Sequence, residues 1–227
     1  MDENLVPTYY LDFDNGEASA NAKQAKKGKC TISPVRVKAE EVVEGKKGDI
    51  ARAVALFYFV RDTIPYKIIF DIPGKHYFRA SETLRRGDGF CMPKAVLLAA
   101  LARSVGIPVR LHFADIINHI VPEYISDRLK TKLMTYHNYV EFLLDGKWVK
   151  ATPSFDLATC RKHGFEPVEF DGKSDAMLHE RDQKGRLHIE YVADYGTRSD
   201  FPLGEVVAAF NKAYPHIPGL VKMLSGD

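Results

Sequence analysis

One cysteine lies where a glycine-rich turn becomes a helix, in the sequence GDGFCMPK at residues 87–94. Pro93 indicates that the helix starts here, because proline is tolerated in the first turn of a helix and nowhere deeper. The unpaired N–H groups and partial positive charge of a helix N-terminus stabilise a thiolate and lower the pKa of a cysteine. The sequence therefore predicts that Cys91 is a reactive thiol at a helix tip.

A histidine and a carboxylate can reach this thiol from a predicted β-hairpin. Asp145 and Gly146 are a strong signal for a two-residue turn between two β-rich runs. That turn fixes which residues share a face, and it places His137 near the open end of the hairpin, with Asp156 just beyond that end. A nucleophilic thiol needs a base and a third group that orients the base. Cys91, His137 and Asp156 can supply these three groups.

The rest of the pattern supplies the elements that must hold these groups. Residues 95–102 are apolar on nearly every side and predict a buried central helix behind Cys91. Asp49 is interpreted as the N-cap of an earlier helix that ends before Pro65. The alternation of residues predicts strands at 109–114, 136–144, 147–152 and 187–192, and a last helix at 203–214.

The segment from Asn118 to Thr135 interrupts the strands. Ile125, Leu129 and Leu133 recur at four-residue spacing, which predicts a short amphipathic helix inserted between two strands. Such a helix either covers a site as a lid or packs as an ordinary surface helix, and the pattern is compatible with both.

Composition excludes several classes of protein. The chain has 227 residues, of which 45% are apolar, and its formal charge is +2. These values predict a globular protein with one domain over residues 1–227, and neither nucleic acid nor a membrane as partner. No signal peptide or membrane span is recognised at the N-terminus, so a cytoplasmic location is expected.

The other cysteines and histidines give no metal pattern. Cys30 and Cys160 lack the context of Cys91 and are interpreted as structural, reduced thiols. Cys160 and His163 resemble half of a zinc site, but no second pair with ligand spacing follows. No metal or other cofactor is expected, and His188 is a further candidate to line the cleft. The lysine-rich residues 17–29 are interpreted as a solvated arm.

Four pieces of sequence together resemble a bacterial transglutaminase-like domain over about residues 45 to 160. They are GFCMPKA at 89–95, LARSVGIPVR at 101–110, HNYVE at 137–141 and GKW at 146–148. The resemblance implies an α+β, papain-like fold, in which the central helix with the cysteine packs on an antiparallel sheet that carries the histidine. It also implies a Cys/His/Asp triad, in a superfamily that includes transglutaminases, peptide N-glycanases and bacterial cysteine proteases. The N-terminal arm and C-terminal extension are expected to pack on this core.

The third catalytic residue departs from the family pattern. The family acid usually lies four positions after the hairpin tryptophan Trp148, and that position here is Thr152. Threonine accepts a hydrogen bond but cannot balance the charge of an imidazolium. Asp156 is predicted to take the role, with Thr152, Glu190 and Asp194 as the alternatives.

The resulting prediction is thiol-dependent acyl transfer from the amide of a peptide or protein. His137 takes the thiol proton, Cys91 attacks the carbonyl, and the Cys91 N–H helps to bind the oxyanion, with Phe90 and Trp148 on the cleft wall. An amine acceptor would then give transamidation, and water would give hydrolysis, as in a cysteine protease or amidase. Because Thr152 replaces an acid, a catalytically inactive peptide-binding module is the third alternative.

Overall fold

The computed structural model describes residues 2–13 and 33–217, which form an antiparallel sheet and surrounding helices. Within these residues the α-helices are α1 (Pro34–Val43), α2 (Asp49–Tyr58), α3 (Ala80–Arg86), α4 (Cys91–Ser104), α5 (Glu123–Leu129), α6 (Leu157–His163) and α7 (Leu203–Ala213). The strands are β1 (Val109–Asn118), β2 (Leu133–Leu144), β3 (Lys147–Ala151) and β4 (Ile189–Arg198). The predicted α+β architecture is confirmed. The predictions for Cys30 and for the lysine-rich residues 17–29 lie outside the described residues.

Helix α4 is the centre of the hydrophobic core. Every residue of α4 after Cys91 is buried, and the helix packs against β1 and β2 of the sheet. A helix that is apolar on all sides is stable only when it is surrounded by other elements. The core therefore fixes α4 on all sides and leaves only its N-terminal tip near the protein surface.

The sheet has the strand order β3-β2-β1-β4, and all of its neighbouring strands are antiparallel. The predicted hairpin joins β2 to β3, with Glu141 opposite Lys150. Asp145 and Gly146 have positive φ angles of 48° and 77°, as a type I′ turn requires. The predicted register of this hairpin is confirmed.

Several element ends differ from the prediction. Gly48 precedes α2, so Asp49 is its first residue and not its N-cap. The inserted helix α5 includes Ile125 and Leu129, but Leu133 already belongs to β2. The predicted last strand starts two residues later and extends to Arg198. None of the helices in the described residues is both long and apolar enough to cross a membrane.

Candidate active site

The turn before Cys91 is fixed by main-chain pairing. The Gly89 N–H donates to the Pro65 carbonyl at 3.1 Å, and the Lys67 N–H donates to the Gly89 carbonyl at 3.0 Å. A Cβ atom on Gly89 would lie 3.0 Å from the Pro93 Cγ, so only glycine lets the turn approach the first turn of α4 this closely. This pairing sets the direction in which Cys91 leaves the turn.

Lys94 anchors the first turn of α4 from inside the protein. Its side chain is fully buried, and its Nζ donates to the carbonyls of Arg61 at 3.0 Å and Ile64 at 2.6 Å. Burial lowers the pKa of Lys94 to about 7, although the carboxylate of Asp156 opposes this effect. Lys94 thus satisfies two buried carbonyls at the end of the helical segment Phe59–Thr63, which follows α2. It ties that segment to the helix of Cys91.

His137 follows a β-bulge in β2. The pair Ala114–His137 is followed by the pair Ile116–Met134, so β2 contains one more residue than β1 over this stretch. A bulge changes the direction in which the following side chains point. His137 therefore does not continue the side-chain alternation set by the first residues of β2.

Asp115 holds this bulge in place. Its Oδ1 accepts hydrogen bonds from the Thr135 hydroxyl at 2.7 Å and the Tyr136 N–H at 3.0 Å, and its Oδ2 accepts one from the Tyr195 hydroxyl at 2.8 Å. Tyr136 has a φ of 54°, a backbone conformation that is unfavourable for a bulky residue. The hydrogen bonds of Asp115 stabilise this strained backbone one residue before His137.

Cys91 and His137 line one cavity of about 280 Å³, and Phe90 and Ser154 lie on the same wall. Cys91 is partly exposed there, whereas His137 is almost fully buried. The backbone N–H of Asn138, the residue after His137, is close enough to the Cys91 thiol to lower its pKa. The structure therefore brings the predicted nucleophile and base to the same place.

Burial controls the charge state of both groups. It raises the pKa of Cys91 to about 11, because the nearby N–H groups of Asn138 and Met92 only partly offset the loss of solvent. Burial also lowers the pKa of His137 to about 3. The sequence predicted a lowered thiol pKa, and the structure differs because desolvation outweighs the helix N-terminus. Burial thus favours the neutral form of each group.

One ring nitrogen of His137 lacks a partner. Its Nε2 is buried and makes no hydrogen bond with any described residue. The ring lies 6.1 Å, between centroids, from both Tyr139 and Tyr191. Two tyrosine rings therefore lie near the imidazole, and no carboxylate of a described residue hydrogen-bonds to its Nε2.

Asp156 is not brought into contact with His137. It is the N-cap of α6, where its carboxylate accepts hydrogen bonds from the N–H of Thr159 at 2.9 Å and from the N–H of Tyr66 at 2.7 Å. Burial raises its pKa, but these N–H groups hold the pKa below its usual value. Pro153 follows the end of β3, so the chain leaves the sheet before Asp156. The carboxylate binds backbone donors instead of an imidazole.

The alternative third residues also have other partners. The Thr152 hydroxyl donates to the Met177 Sδ at 3.7 Å. Glu190 lies 3.1 Å from the ring of His119, and Asp194 lies 2.7 Å from the Nε2 of His112. These described contacts do not include His137, so no third residue is identified by a contact.

Two aromatic residues do not lie where the sequence predicted. Trp148 pairs with Leu143, six residues along β2 from His137, and its ring packs 4.0 Å from the Arg110 guanidinium carbon instead of lining the cavity. His188 is buried and stacks on Phe165 at 4.1 Å between centroids. It lies behind the cavity wall, because Phe165 lines the cavity and His188 does not.

Sequence reasoning gave no role to two residues of this region. Ser154 lines the cavity, and its hydroxyl is buried without a described hydrogen-bond partner. The hairpin register contained a signal for Ser154, since an extended β3 would place it opposite His137. Asp115 had no such signal, because the bulge that it holds appears only in the strand pairing.

The sequence was compared with known proteins. The family model of the transglutaminase-like superfamily matches residues 36–153, just over half of the chain. No curated protein matches the sequence.

Three solved structures are similar to the chain. A proposed cysteine protease from Cytophaga hutchinsonii is 14% identical with a TM-score of 0.49, and the match covers 87% of this chain and 46% of that one. The periplasmic domain of TgpA from Pseudomonas aeruginosa is 19% identical with a TM-score of 0.41, covering 60% and 47%. A proposed protease from Parabacteroides distasonis is 15% identical with a TM-score of 0.36, covering 51% and 22%.

The chain spans less than half of the length of each of these structures. The family match covers the helix of Cys91, the strand of His137 and the hairpin that joins β2 to β3. On that match, the chain belongs to the transglutaminase-like superfamily.

Proposed function

We propose that the protein transfers the acyl group of a peptide or protein amide through a thioester on Cys91, with His137 as the base. The observation that carries this proposal is the shared cavity, in which the thiol at the tip of α4 meets the strand of His137. Membership of the transglutaminase-like superfamily supports the same chemistry.

The charge states suggest how the proton moves. Because burial favours the neutral form of both the thiol and the imidazole, His137 accepts the thiol proton while Cys91 attacks the carbonyl carbon. The C–S bond forms, and the oxyanion is stabilised by the Cys91 N–H at the start of α4. The C–N bond then breaks, and the amine leaves with the proton from the imidazolium. Water or a second amine attacks the thioester and releases the acyl group.

Asp156 enters this proposal as a positioning residue. By binding the Tyr66 N–H and starting α6, its carboxylate fixes two parts of the cavity wall, Tyr66 and Thr159. Thr152 is the candidate for a neutral partner of His137, because it occupies the sequence position of the family acid.

Alkylation by iodoacetamide tests the nucleophile and base. We expect Cys91 to react at least about tenfold faster than Cys160, which is buried in α6, because Cys91 lines the cavity and Cys160 does not. His137→Ala should slow Cys91 by about 10²-fold or more, whereas His179→Ala, which removes an exposed histidine, should not. Equal rates at Cys91 and Cys160, read by mass spectrometry of the peptides, would contradict the proposal.

The product of an amide donor distinguishes the two enzyme reactions. Incorporation of a labelled primary amine indicates a transferase, and release of the free acid indicates a hydrolase. The acyl enzyme is common to both, so its mass shift on Cys91 tests the proposal before either acceptor is known.

A binding module without catalysis is the second candidate, and the unpartnered Nε2 of His137 favours it. In that case peptides would bind in the cavity, but no acyl adduct would form on Cys91. Trapping with an activated ester separates the two functions, because only a catalytic thiol should become acylated in a His137-dependent way.

A further inference from the structure

The cavity next to Cys91 has a predominantly apolar wall. Residues 66–72 contribute Ile68, Ile69 and Phe70 to this lining, which also includes Phe165, Leu178 and Phe210. Such a surface gains free energy when it is covered by an apolar group and loses free energy when it must bind a bare polar one.

The inserted helix α5 completes this wall. Ile125 and Leu129 are almost fully buried, and both line the cavity together with Val121 and Pro122 from the preceding loop. The helix thus directs its apolar residues at the cavity that contains Cys91. An ordinary surface helix would cover closed core instead.

Charge in the lining is of one sign. None of the described lining residues is acidic, and the two lysines are Lys67 and Lys162. Lys67 is paired with Asp88 at 2.8 Å, whereas Lys162 makes no ion pair with any residue in the described ranges. The rim therefore disfavours a cationic group and tolerates a neutral or anionic one.

One buried polar group also points to a ligand. The Ser154 hydroxyl is 1% exposed and lacks a hydrogen-bond partner in the described part of the chain, although such groups are normally paired. A carbonyl or amide of a bound molecule would supply the missing partner. The cavity that Cys91 lines thus combines an apolar wall with a hydroxyl that has no described partner.

We propose that this cavity binds the apolar side chain of the acyl donor, and that the donor is neutral or anionic. The inference rests on the proposed function for the delivery of the carbonyl to Cys91. The cavity volume of about 280 Å³ suits one amino-acid side chain, since pockets for larger ligands start at about this size.

Activated esters test the preference. We expect kcat/KM for the p-nitrophenyl ester of 3-phenylpropionic acid to exceed that of the acetyl ester by about tenfold or more, after correction for their rates with free mercaptoethanol. The ester of 6-aminohexanoic acid, which is cationic, should be a poorer donor than the neutral hexanoyl ester. In each case Cys91 Sγ forms the thioester as p-nitrophenolate leaves.

Two variants connect this preference to the cavity. Ile125→Asn should reduce the phenylpropionyl preference severalfold, and Phe70→Ser, at a partly exposed position, does the same with less risk to folding. Val37→Asn places the same polar side chain on α1, where Val37 is 49% exposed, and should leave the preference unchanged. Thermal unfolding checks that each variant is folded.

A binding measurement keeps the two proposals separate. The Cys91→Ala protein should bind 3-phenylpropionamide more tightly than acetamide in an NMR titration, and Ile125→Asn should weaken that binding. Equal affinities, or equal corrected ester rates with Cys91 still alkylated in a His137-dependent way, would overturn the apolar donor and leave the acyl-transfer proposal standing. If the protein binds the apolar amide but no acyl adduct forms on Cys91, the acyl-transfer proposal is overturned and the apolar binding site remains.

Discussion

His112 and His137 lie on neighbouring strands with one tyrosine ring between them, yet their surroundings are opposite. His112 is bonded at both ring nitrogens, to Glu141 at 2.6 Å and to Asp194 at 2.7 Å, and it stacks on Tyr139. His137 has an unpartnered Nε2, and burial alone accounts for its lowered pKa.

The sheet therefore places two carboxylates on the ring nitrogens of His112. The Nε2 of His137 receives none. Full pairing suits a structural role, because buried hydrogen-bonded charges hold strands together. The Nε2 of His137 has no hydrogen-bond partner among the described residues, so this imidazole does not hold strands together in that way. We therefore assign the structural role to His112 and keep His137 as the proposed base.

Removal of each histidine should separate these roles most clearly. We expect His137→Ala to lower kcat for acyl transfer by about 10³-fold with little change in stability, since a general base contributes about that much. His112→Gln should leave kcat within a few-fold but lower the free energy of unfolding by about 2 kcal/mol, because Glu141 loses a buried partner. Steady-state kinetics and urea unfolding give the two readouts, and reversed effects would refute the assignment.

The bulge before His137 allows a second test of the comparison, because His112 lies in regular strand pairing. Asp115→Ala should release the strained Tyr136 and misplace His137, lowering kcat about tenfold. Asp115→Asn keeps one acceptor oxygen and should recover most of the loss, while Glu40→Ala on exposed α1 should have no effect. If kcat recovers in Asp115→Asn and its pH dependence is unchanged, Asp115 acts by positioning His137. If Asp115→Asn loses as much kcat as Asp115→Ala, that role is contradicted.

A carboxylate next to His137 should make it resemble His112. Thr152→Asp restores the acid of the family pattern, favours the imidazolium, and should raise the alkylation rate of Cys91 at pH 7 by about tenfold. Thr152→Asn has the same shape without the charge and should not raise it. If both variants react at the wild-type rate, Thr152 does not lie in reach of the imidazole.

The parts of the site differ in how far the sequence could predict them. The tip of α4 and the hairpin of His137 follow from local signals, namely Pro93 and the Asp145-Gly146 turn, and both are confirmed. The raised pKa of Cys91 depends on burial by distant segments, which no local pattern encodes. Asp156 was predicted as the orienting acid, but it also fits the local pattern of a helix N-cap. In the structure it caps α6 by accepting a hydrogen bond from the N–H of Thr159, three residues later.

Acid stability allows a further comparison, in which His188 joins the same two histidines. Its two ring nitrogens are buried without described partners, and burial lowers its pKa to about 4. Between about pH 6.5 and pH 4 the unfolded chain, with a histidine pKa near 6.5, binds a proton at this residue and the folded chain does not. Stability is therefore complete above about pH 6.5 and falls as the pH drops towards 4, by about 1.4 kcal/mol per pH unit for one such group. His137 adds a similar dependence.

His188→Phe should remove the contribution of His188 and so reduce the loss of unfolding free energy between pH 6.5 and pH 4. Phenylalanine fits because His188 already stacks on Phe155 and Phe165, and no hydrogen bond to a described residue is lost. His112→Phe, by contrast, removes one hydrogen-bond partner from each of Glu141 and Asp194 and should destabilise the protein at neutral pH as well. Urea unfolding at several pH values measures each slope, and an unchanged slope in His188→Phe would mean that His188 is protonated in the folded protein.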